Sequence, residues 1–231
     1  MKTLGIIGGV GPESTVDYYR LIISAYQQRK PDGSYPPMII NSVDLQQMVR
    51  LLEAGNLAGL AQRLVAEIQK LASAGAELAL LASNTPHIVF DEIQRQSPLP
   101  LVSIVQATCD AARAQGLKKL GLFGSRFTMQ GSFYQEVFSK AGIVLATPQP
   151  DEQTYIHEHY MDELVKGVFL PETRAGLLRI VDRMKDQEQI EGLILGGTEL
   201  PLILRNVAGY SIPFLDTARI HVDAVIERLL S

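Results

Sequence analysis

The feature that most constrains the fold is a regular alternation of short, almost wholly apolar runs with longer amphipathic segments. Short runs rich in Ile, Leu and Val are typical of strands that are buried on both faces. Segments with apolar residues three and four positions apart are typical of helices. The alternation therefore predicts an α/β fold whose parallel sheets are covered by helices. The predicted strands span residues 4–7, 38–43, 78–81, 101–104, 120–123, 143–146, 193–195 and 212–215, and predicted helices span 14–28, 57–74, 173–187 and 217–230.

The chain also resembles itself. The run Leu-Gly-Ile-Ile-Gly-Gly begins at Leu4, and Leu-Gly-Leu-Phe-Gly-Ser begins at Leu120. Similar runs also begin at Glu77 and Glu191, at nearly the same separation. This order indicates a duplication that gives two similar small α/β domains, related by a pseudo-twofold axis. Ligands of open α/β sheets bind outside the carboxyl ends of the strands, so we expect the active site in a cleft between the domains.

We predict that the first domain contains residues 1–107 and 212–231, and that the second contains residues 108–211. A helix near residues 106–118 is expected to connect them, and the last helix is expected to pack back on the first domain.

Composition excludes several classes of protein. The 231 residues are 46% hydrophobic, which is enough for a substantial core, and the net charge of -4 argues against nucleic acid or an anionic membrane as a partner. No apolar run is long enough to span a bilayer, and the first one is too short for a signal peptide. The single cysteine, Cys109, excludes an intramolecular disulfide and a cysteine-rich metal site. We therefore expect a cytoplasmic protein with no bound metal, in which Cys109 is a small buried apolar residue.

The first predicted strand leads into a glycine-rich turn that opens a helix, Gly8-Gly9-Val10-Gly11-Pro12-Glu13-Ser14-Thr15. Glycines allow close approach of a ligand, and the free N–H groups of a helix N-terminus attract anions. The glycine spacing differs from that of the dinucleotide-binding fingerprint. From the residues alone, a ligand-binding turn and a purely structural tight turn both remain open.

Short polar side chains follow three other predicted strands. The segments are Ser83-Asn84-Thr85-Pro86-His87, Ser125-Arg126-Phe127-Thr128 and Gly197-Thr198-Glu199. Such side chains can cap the helix that follows, or they can hold a carboxylate. Three hydroxyl-bearing strand ends together favour a small anionic ligand.

These motifs resemble those of the aspartate/glutamate racemase family. The first turn is similar to the family's Gly-Gly-Met-Gly-Pro signature, the segment from Ser83 aligns with Cys-Asn-Thr-x-His, and the segment from Gly197 aligns with Cys-Thr-Glu. The correspondence runs in order from the first strand to the last helix. It implies a homodimeric enzyme of two similar α/β domains that needs no cofactor and acts on small acidic amino acids.

The resemblance also implies the roles of particular residues. In the family, two thiols on opposite faces of the substrate remove and return the α-proton. Positions 83 and 197 are therefore the catalytic ones. The α-carboxylate and amino group would be bound by Asn84, Thr85, Ser125 and Thr198, with Val10, Thr128 and Glu199 in the same motifs, and the side-chain carboxylate by Arg50 and Lys166. From local sequence alone, Arg50 and Lys166 can equally be solvated surface charges.

Both catalytic positions depart from the family pattern, because residue 83 is Ser and residue 197 is Gly. A serine hydroxyl needs a partner base, and glycine has no side chain at all. Three interpretations remain: a racemase with altered chemistry that uses Glu199, His87 or Lys166 as base, an impaired relative that binds an acidic amino acid as a sensor or regulator, or a variant of a parent with cysteine at position 197. If position 197 alone limits activity, Gly197→Cys is expected to restore some of it.

Overall fold

The structure, a computed structural model, describes residues 2–205 and 210–231. It divides into two compact units, of which the first comprises Met1–Ile104 and Ala218–Ser231 and the second comprises Val105–Thr217. In the described part of the chain, no helix is both long enough and apolar enough to cross a lipid bilayer.

The first unit is built on a parallel sheet of three strands in the order β2-β1-β3. The strands are β1 (Leu4–Gly8), β2 (Met38–Ser42) and β3 (Leu78–Leu81). The helices are α1 (Pro12–Arg29), α2 (Leu45–Glu53), α3 (Leu57–Ser73), α4 (Phe90–Gln96) and α11 (Thr217–Leu230), with a 3-10 helix at Thr85–Val89.

Strands β1 and β3 of this sheet are buried on both faces, as their apolar sequences predict, whereas the edge strand β2 is partly exposed. Leu4 and Ile6 of β1 belong to a core cluster that includes residues of α1 and α11. Ile7 lies in a second cluster with residues of α3 and α4. Successive side chains of a strand point to opposite faces, so a strand covered by helices on both sides must be apolar throughout.

The second unit repeats this arrangement with one more strand, in the order β5-β4-β6-β7 and with parallel pairing throughout. The strands are β4 (Lys119–Gly124), β5 (Val144–Ala146), β6 (Gly192–Gly196) and β7 (Phe214–Asp216). The helices are α5 (Ile104–Ala114), α6 (Arg126–Gln130), α7 (Ser132–Lys140), α8 (Pro150–Asp162), α9 (Pro171–Glu188) and α10 (Leu200–Leu204), with a 3-10 helix at Leu164–Lys166. In each unit the first strand is central and lies between the second and the third, which is the topology expected of a duplicated half.

The prediction of a strand over residues 101–104 is wrong. Leu101 makes an isolated parallel bridge to Ala79, and α5 already begins at Ile104. The sequence-predicted domains also differ from the two units near their boundaries, because β7 pairs with β6 and so lies in the second unit.

Helix α11 packs on the first unit through buried residues that include Val222, Val225 and Leu229, as expected of the last helix. Cys109, on α5, is 1% exposed, which confirms it as a small buried residue.

Two buried histidines lie in the first unit. His221 Nε2 lies 2.9 Å from the carbonyl oxygen of Val102, which can only accept, so Nε2 carries the proton and Nδ1 accepts from the Tyr18 hydroxyl at 2.8 Å. Burial lowers the pKa of His221 to about 4. Burial, with a smaller effect of His221, lowers the pKa of His87 to about 3. Both imidazoles are therefore neutral in the folded protein at neutral pH.

We predict that acid destabilises the protein through these two side chains. The unfolded chain binds protons at both histidines near pH 6.5, whereas the folded chain does not, so their contribution is complete above pH 6.5 and is lost as the pH falls toward 4. The free energy of unfolding should fall by about 1.4 kcal/mol per pH unit for each histidine over this range. Urea unfolding between pH 7.5 and 5 measures it. His221→Gln should flatten the slope, and equal slopes in this variant and in the unsubstituted protein would contradict the prediction.

Candidate functional site

The first turn is built around a glycine that no other residue can replace without strain. Gly9 has a φ of 83°, and a Cβ atom there would lie 2.2 Å from the carbonyl oxygen of Val43. The turn is also joined to the end of β3, since Ser14 Oγ lies 3.1 Å from the carbonyl oxygen of Ala82. The predicted site residue Val10, which is buried, therefore lies in a turn held beside the segment that begins at Ser83.

The polar residues after β3 are mostly buried. Ser83 is 6% exposed and Asn84 is 1% exposed, whereas Thr85 is half-buried. Asn84 precedes the 3-10 helix, yet its side chain does not cap that helix. The capping alternative therefore fails for Asn84. The structure places these three predicted residues together at the carboxyl edge of the first sheet, where Ile7 and Leu81 are paired.

His87 is not available as a base for Ser83. Its Nε2 accepts the N–H of Ile104 at 3.2 Å, so Nδ1 carries the proton and donates it to the carbonyl oxygen of Ser83 at 3.0 Å. The ring also stacks on Phe90. Among the described residues, no imidazole, amine or carboxylate is hydrogen-bonded to the Ser83 hydroxyl. His87 thus supports the backbone of the site, and the suggestion that it activates Ser83 is not supported by its hydrogen bonds.

Arg50 lies on α2, the helix that follows β2, and its side chain is exposed. Asp44 caps the start of this helix by accepting from the N–H of Gln46 at 2.9 Å. Gly8 and Ser42, the last residues of β1 and β2, are paired. Helix α2 therefore begins at the same carboxyl edge of the sheet as the turn after β1. Arg50 is a solvated cation here, and a role toward a ligand stays a prediction.

In the second unit, Ser125 and Thr128 lie at the corresponding strand end. Ser125 caps α6 by accepting from the N–H of Thr128 at 3.3 Å, and their hydroxyl oxygens are also 3.3 Å apart. Thr128 covers the paired strand ends, since a Cβ added at Gly124 would lie 2.9 Å from the Cβ of Thr128. Ser125 therefore fulfils the capping role, and Thr128 is fully buried beside it.

An aromatic ring lies against Gly197, the residue that the sequence resemblance aligns with the second family thiol. A Cβ atom added at Gly197 would lie 2.5 Å from Cε2 and 2.9 Å from Cζ of Tyr160, a residue of α8. The Tyr160 hydroxyl donates a hydrogen bond to Glu199 Oε2, and the Thr198 hydroxyl donates to the same oxygen at 3.1 Å. Thr198 and Glu199 are fully buried. Burial, together with the charge of Glu199, raises the pKa of Tyr160 well above its usual value, so the phenol stays protonated at neutral pH.

Lys166 lies at the end of the second 3-10 helix and is exposed. Its Nζ is 3.0 Å from Oδ1 of Asp162, and both side chains of this ion pair are exposed to solvent. The structure thus gathers Ser125, Thr128, Gly197, Thr198 and Glu199 in the second unit, whereas Lys166 is engaged with a neighbouring carboxylate on the surface.

Tyr160 is the residue that sequence analysis missed. It precedes Gly197 by 37 residues (197 − 160), with α9 and β6 between them, and no local motif marks it. The sequence signal that could have found it is the missing side chain at position 197, because a glycine at a packed strand end leaves space that another residue must fill.

Comparisons with known proteins agree over the whole chain. The family model described as Asp/Glu/Hydantoin racemase matches residues 7–225. A candidate Asp/Glu racemase from Yersinia pestis has a crystal structure that superposes with a TM-score of 0.89 at 33% identity, and each chain is covered completely. An aspartate racemase homologue from Pyrococcus horikoshii has a TM-score of 0.84 at 33% identity, also over 100% of both chains. The broad specificity amino-acid racemase RacX of Bacillus subtilis is 23% identical over 99% of this chain and 98% of its own.

The resemblance drawn from the sequence motifs is thereby confirmed, and with it the parallel α/β fold. The relatives of the chain identify it, by family resemblance, as an amino-acid racemase, which is an isomerase. This chain belongs to the Asp/Glu/Hydantoin racemase family.

Proposed function

We propose that this protein binds a small acidic amino acid and interconverts its mirror images only slowly, by α-proton transfer without a cofactor. The observation that carries the proposal is the set of polar side chains at the carboxyl edges of the two sheets. These are Ser83, Asn84 and Thr85 in the first unit and Ser125, Thr128 and Thr198 in the second. Hydroxyl and amide groups held at buried strand ends suit the carboxylate and ammonium groups of an amino acid.

Slow turnover follows from the two positions where the family carries cysteine. The Ser83 hydroxyl has no base bonded to it among the described residues, and a hydroxyl without such a partner remains protonated at neutral pH. Gly197 offers no side chain, and the Tyr160 ring stands beside it. Removing a weakly acidic α-proton requires a positioned base, which contributes about 10²–10⁴-fold to the rate.

The same observations favour a second candidate, an acidic amino-acid sensor or regulator. Binding uses donors and charges that the chain retains, whereas turnover uses bases that it lacks at positions 83 and 197. Of the three replacement bases that the sequence suggests, His87 has both ring nitrogens engaged and Lys166 is paired with Asp162. Glu199, a buried carboxylate that accepts from Tyr160 and Thr198, remains the candidate base.

We predict that the protein binds acidic amino acids and that Thr85 contributes to binding. Isothermal titration calorimetry with the D and L forms of aspartate and glutamate should give measurable heats. Thr85→Val removes a hydroxyl at nearly constant volume, and the loss of a hydrogen bond to a charged group should weaken binding by about 10-fold or more. Thr154→Val is the matched control, because Thr154 is exposed on α8 and bonds the carbonyl oxygen of Pro150. Absence of heat across the panel would refute both candidate functions.

We predict that Arg50 selects an acidic side chain in the ligand. A guanidinium can hold both oxygens of a carboxylate, so Arg50→Gln should weaken the binding of L-aspartate by about 10–100-fold and leave L-asparagine nearly unaffected. Arg20→Gln serves as the control, since Arg20 is an exposed arginine on α1 of the same unit. If Arg50→Gln and Arg20→Gln have equal effects, Arg50 is only a surface charge.

We predict very slow exchange of the α-proton. Incubation of L-aspartate or L-glutamate with the protein in heavy water, followed by proton NMR, should show deuterium incorporation at least about 100-fold slower than that of a relative with both cysteines. Rapid incorporation would contradict the proposal and would direct attention to Glu199 as the base. Glu199→Gln removes the candidate base, so the rate of any slow exchange should be lower in this variant than in the unsubstituted protein.

A further inference from the structure

We infer that Tyr160 determines which side chain position 197 can hold, and that a thiol can stand there only if Tyr160 changes as well. The inference extends the proposed function, since position 197 is where the family places its second catalytic cysteine. It rests on contacts within the second unit alone, so it can be tested without any ligand.

The first step is the contact itself. All three of the atoms nearest to a Cβ at Gly197 belong to Tyr160, and they lie 2.5, 2.9 and 3.1 Å away. Side-chain carbons do not approach a ring carbon as closely as 2.5 Å, because contact between carbon atoms is optimal at about 3.5–4.0 Å. The obstacle is therefore the ring, and it would oppose alanine and serine as well as cysteine. The backbone at Gly197 is not itself the obstacle, since it lies outside the left-handed region.

The second step is that the ring is not free to move aside. Tyr160 is 8% exposed and packs in the core cluster that also contains Phe123, Met129 and Leu200. Its hydroxyl is held by Glu199. Rotating the ring away from Gly197 would separate it from the buried carboxylate and disturb closely packed neighbours, both of which are costly.

The third step concerns function. A cysteine at position 197 would need its Cβ in the space that the Tyr160 ring now borders, so Gly197→Cys in the present chain would place a thiol on a distorted strand end. The expectation that this single substitution restores activity is therefore replaced by a requirement for two substitutions. Gly197 and Tyr160 form a matched pair, in which the absence of one side chain accommodates the other.

The test compares the effect of Gly197→Ala in three backgrounds: the parent chain, Tyr160→Phe and Tyr160→Leu. Both position-160 substitutions remove the hydrogen bond to Glu199, but only Tyr160→Leu removes the ring. We expect Gly197→Ala to lower the melting temperature by about 4–8 °C in the parent and in the Tyr160→Phe background, and by less than about 2 °C in the Tyr160→Leu background. Equal losses in all three backgrounds would overturn the inference.

A crystal structure of Gly197→Ala decides the question if Tyr160→Leu fails to fold. The inference requires the Tyr160 ring to be displaced from its place beside residue 197, with its bond to Glu199 lengthened or broken. A ring in its original place, in ordinary contact with the new methyl group, would overturn it.

The functional arm uses Gly197→Cys alone and combined with Tyr160→Leu, with α-proton exchange of L-aspartate and L-glutamate in heavy water as the readout. We expect a gain of at least about 10-fold over the parent in the double variant and none in the single one. A gain in the single variant equal to that in the double one would contradict the inference. If the melting temperatures show the coupling and neither variant gains exchange, the steric pairing stands, whereas the claim that a thiol beside a smaller residue 160 restores proton transfer is wrong; calorimetry on the same variants tests the substrate class separately.

Discussion

The site depends on the parallel pairing of each central strand with neighbours on both sides. In the second unit this pairing is close, because β4 and β6 end at two glycines that lie side by side. A Cβ at Gly124 would lie 2.7 Å from the carbonyl oxygen of Gly196, and a Cβ at Gly196 would lie 2.7 Å from that of Phe123. Larger residues would force β4 and β6 apart at the point where the backbone leaves each strand. The register of these strands thus fixes where Ser125 and Gly197 leave the sheet.

The two ends that carry the family's catalytic positions differ in a physically meaningful way. After β3, the Ser83 side chain is retained and His87 supports the backbone through both of its ring nitrogens. After β6, the side chain is absent and a ring from another helix stands beside the backbone. Serine in place of cysteine at position 83 replaces an acidic thiol with a much less acidic hydroxyl, whereas glycine in place of cysteine at position 197 changes the packing around the backbone. A substitution at position 83 is therefore a local chemical change, and one at position 197 involves Tyr160.

Sequence reasoning succeeded where local chemistry decides the structure. The apolar strands predicted parallel sheets with helices on both faces, and Ser125 caps α6 as a hydroxyl after a strand can do. It failed at residues 101–104, because an apolar run does not reveal whether a strand or only one bridge will form. It could not find that His87 has both nitrogens engaged, since one partner is the backbone of Ile104, and it could not find the contact of Tyr160 with Gly197. These contacts join residues far apart in sequence, and they exist only once the helices have packed.

The protonation of Tyr160 explains why its hydroxyl does not replace a thiolate. Burial and the nearby charge of Glu199 raise the pKa of Tyr160 well above its usual value. A phenol in that state can donate a hydrogen bond or a proton, but at neutral pH it cannot remove a proton from a weakly acidic carbon. The Ser83 hydroxyl is limited in the same way for lack of a base. Racemisation must remove a proton before it returns one, so under the proposed roles of positions 83 and 197 neither supplies the base for the first step, whereas the proposed binding requires only the donors and charges that remain.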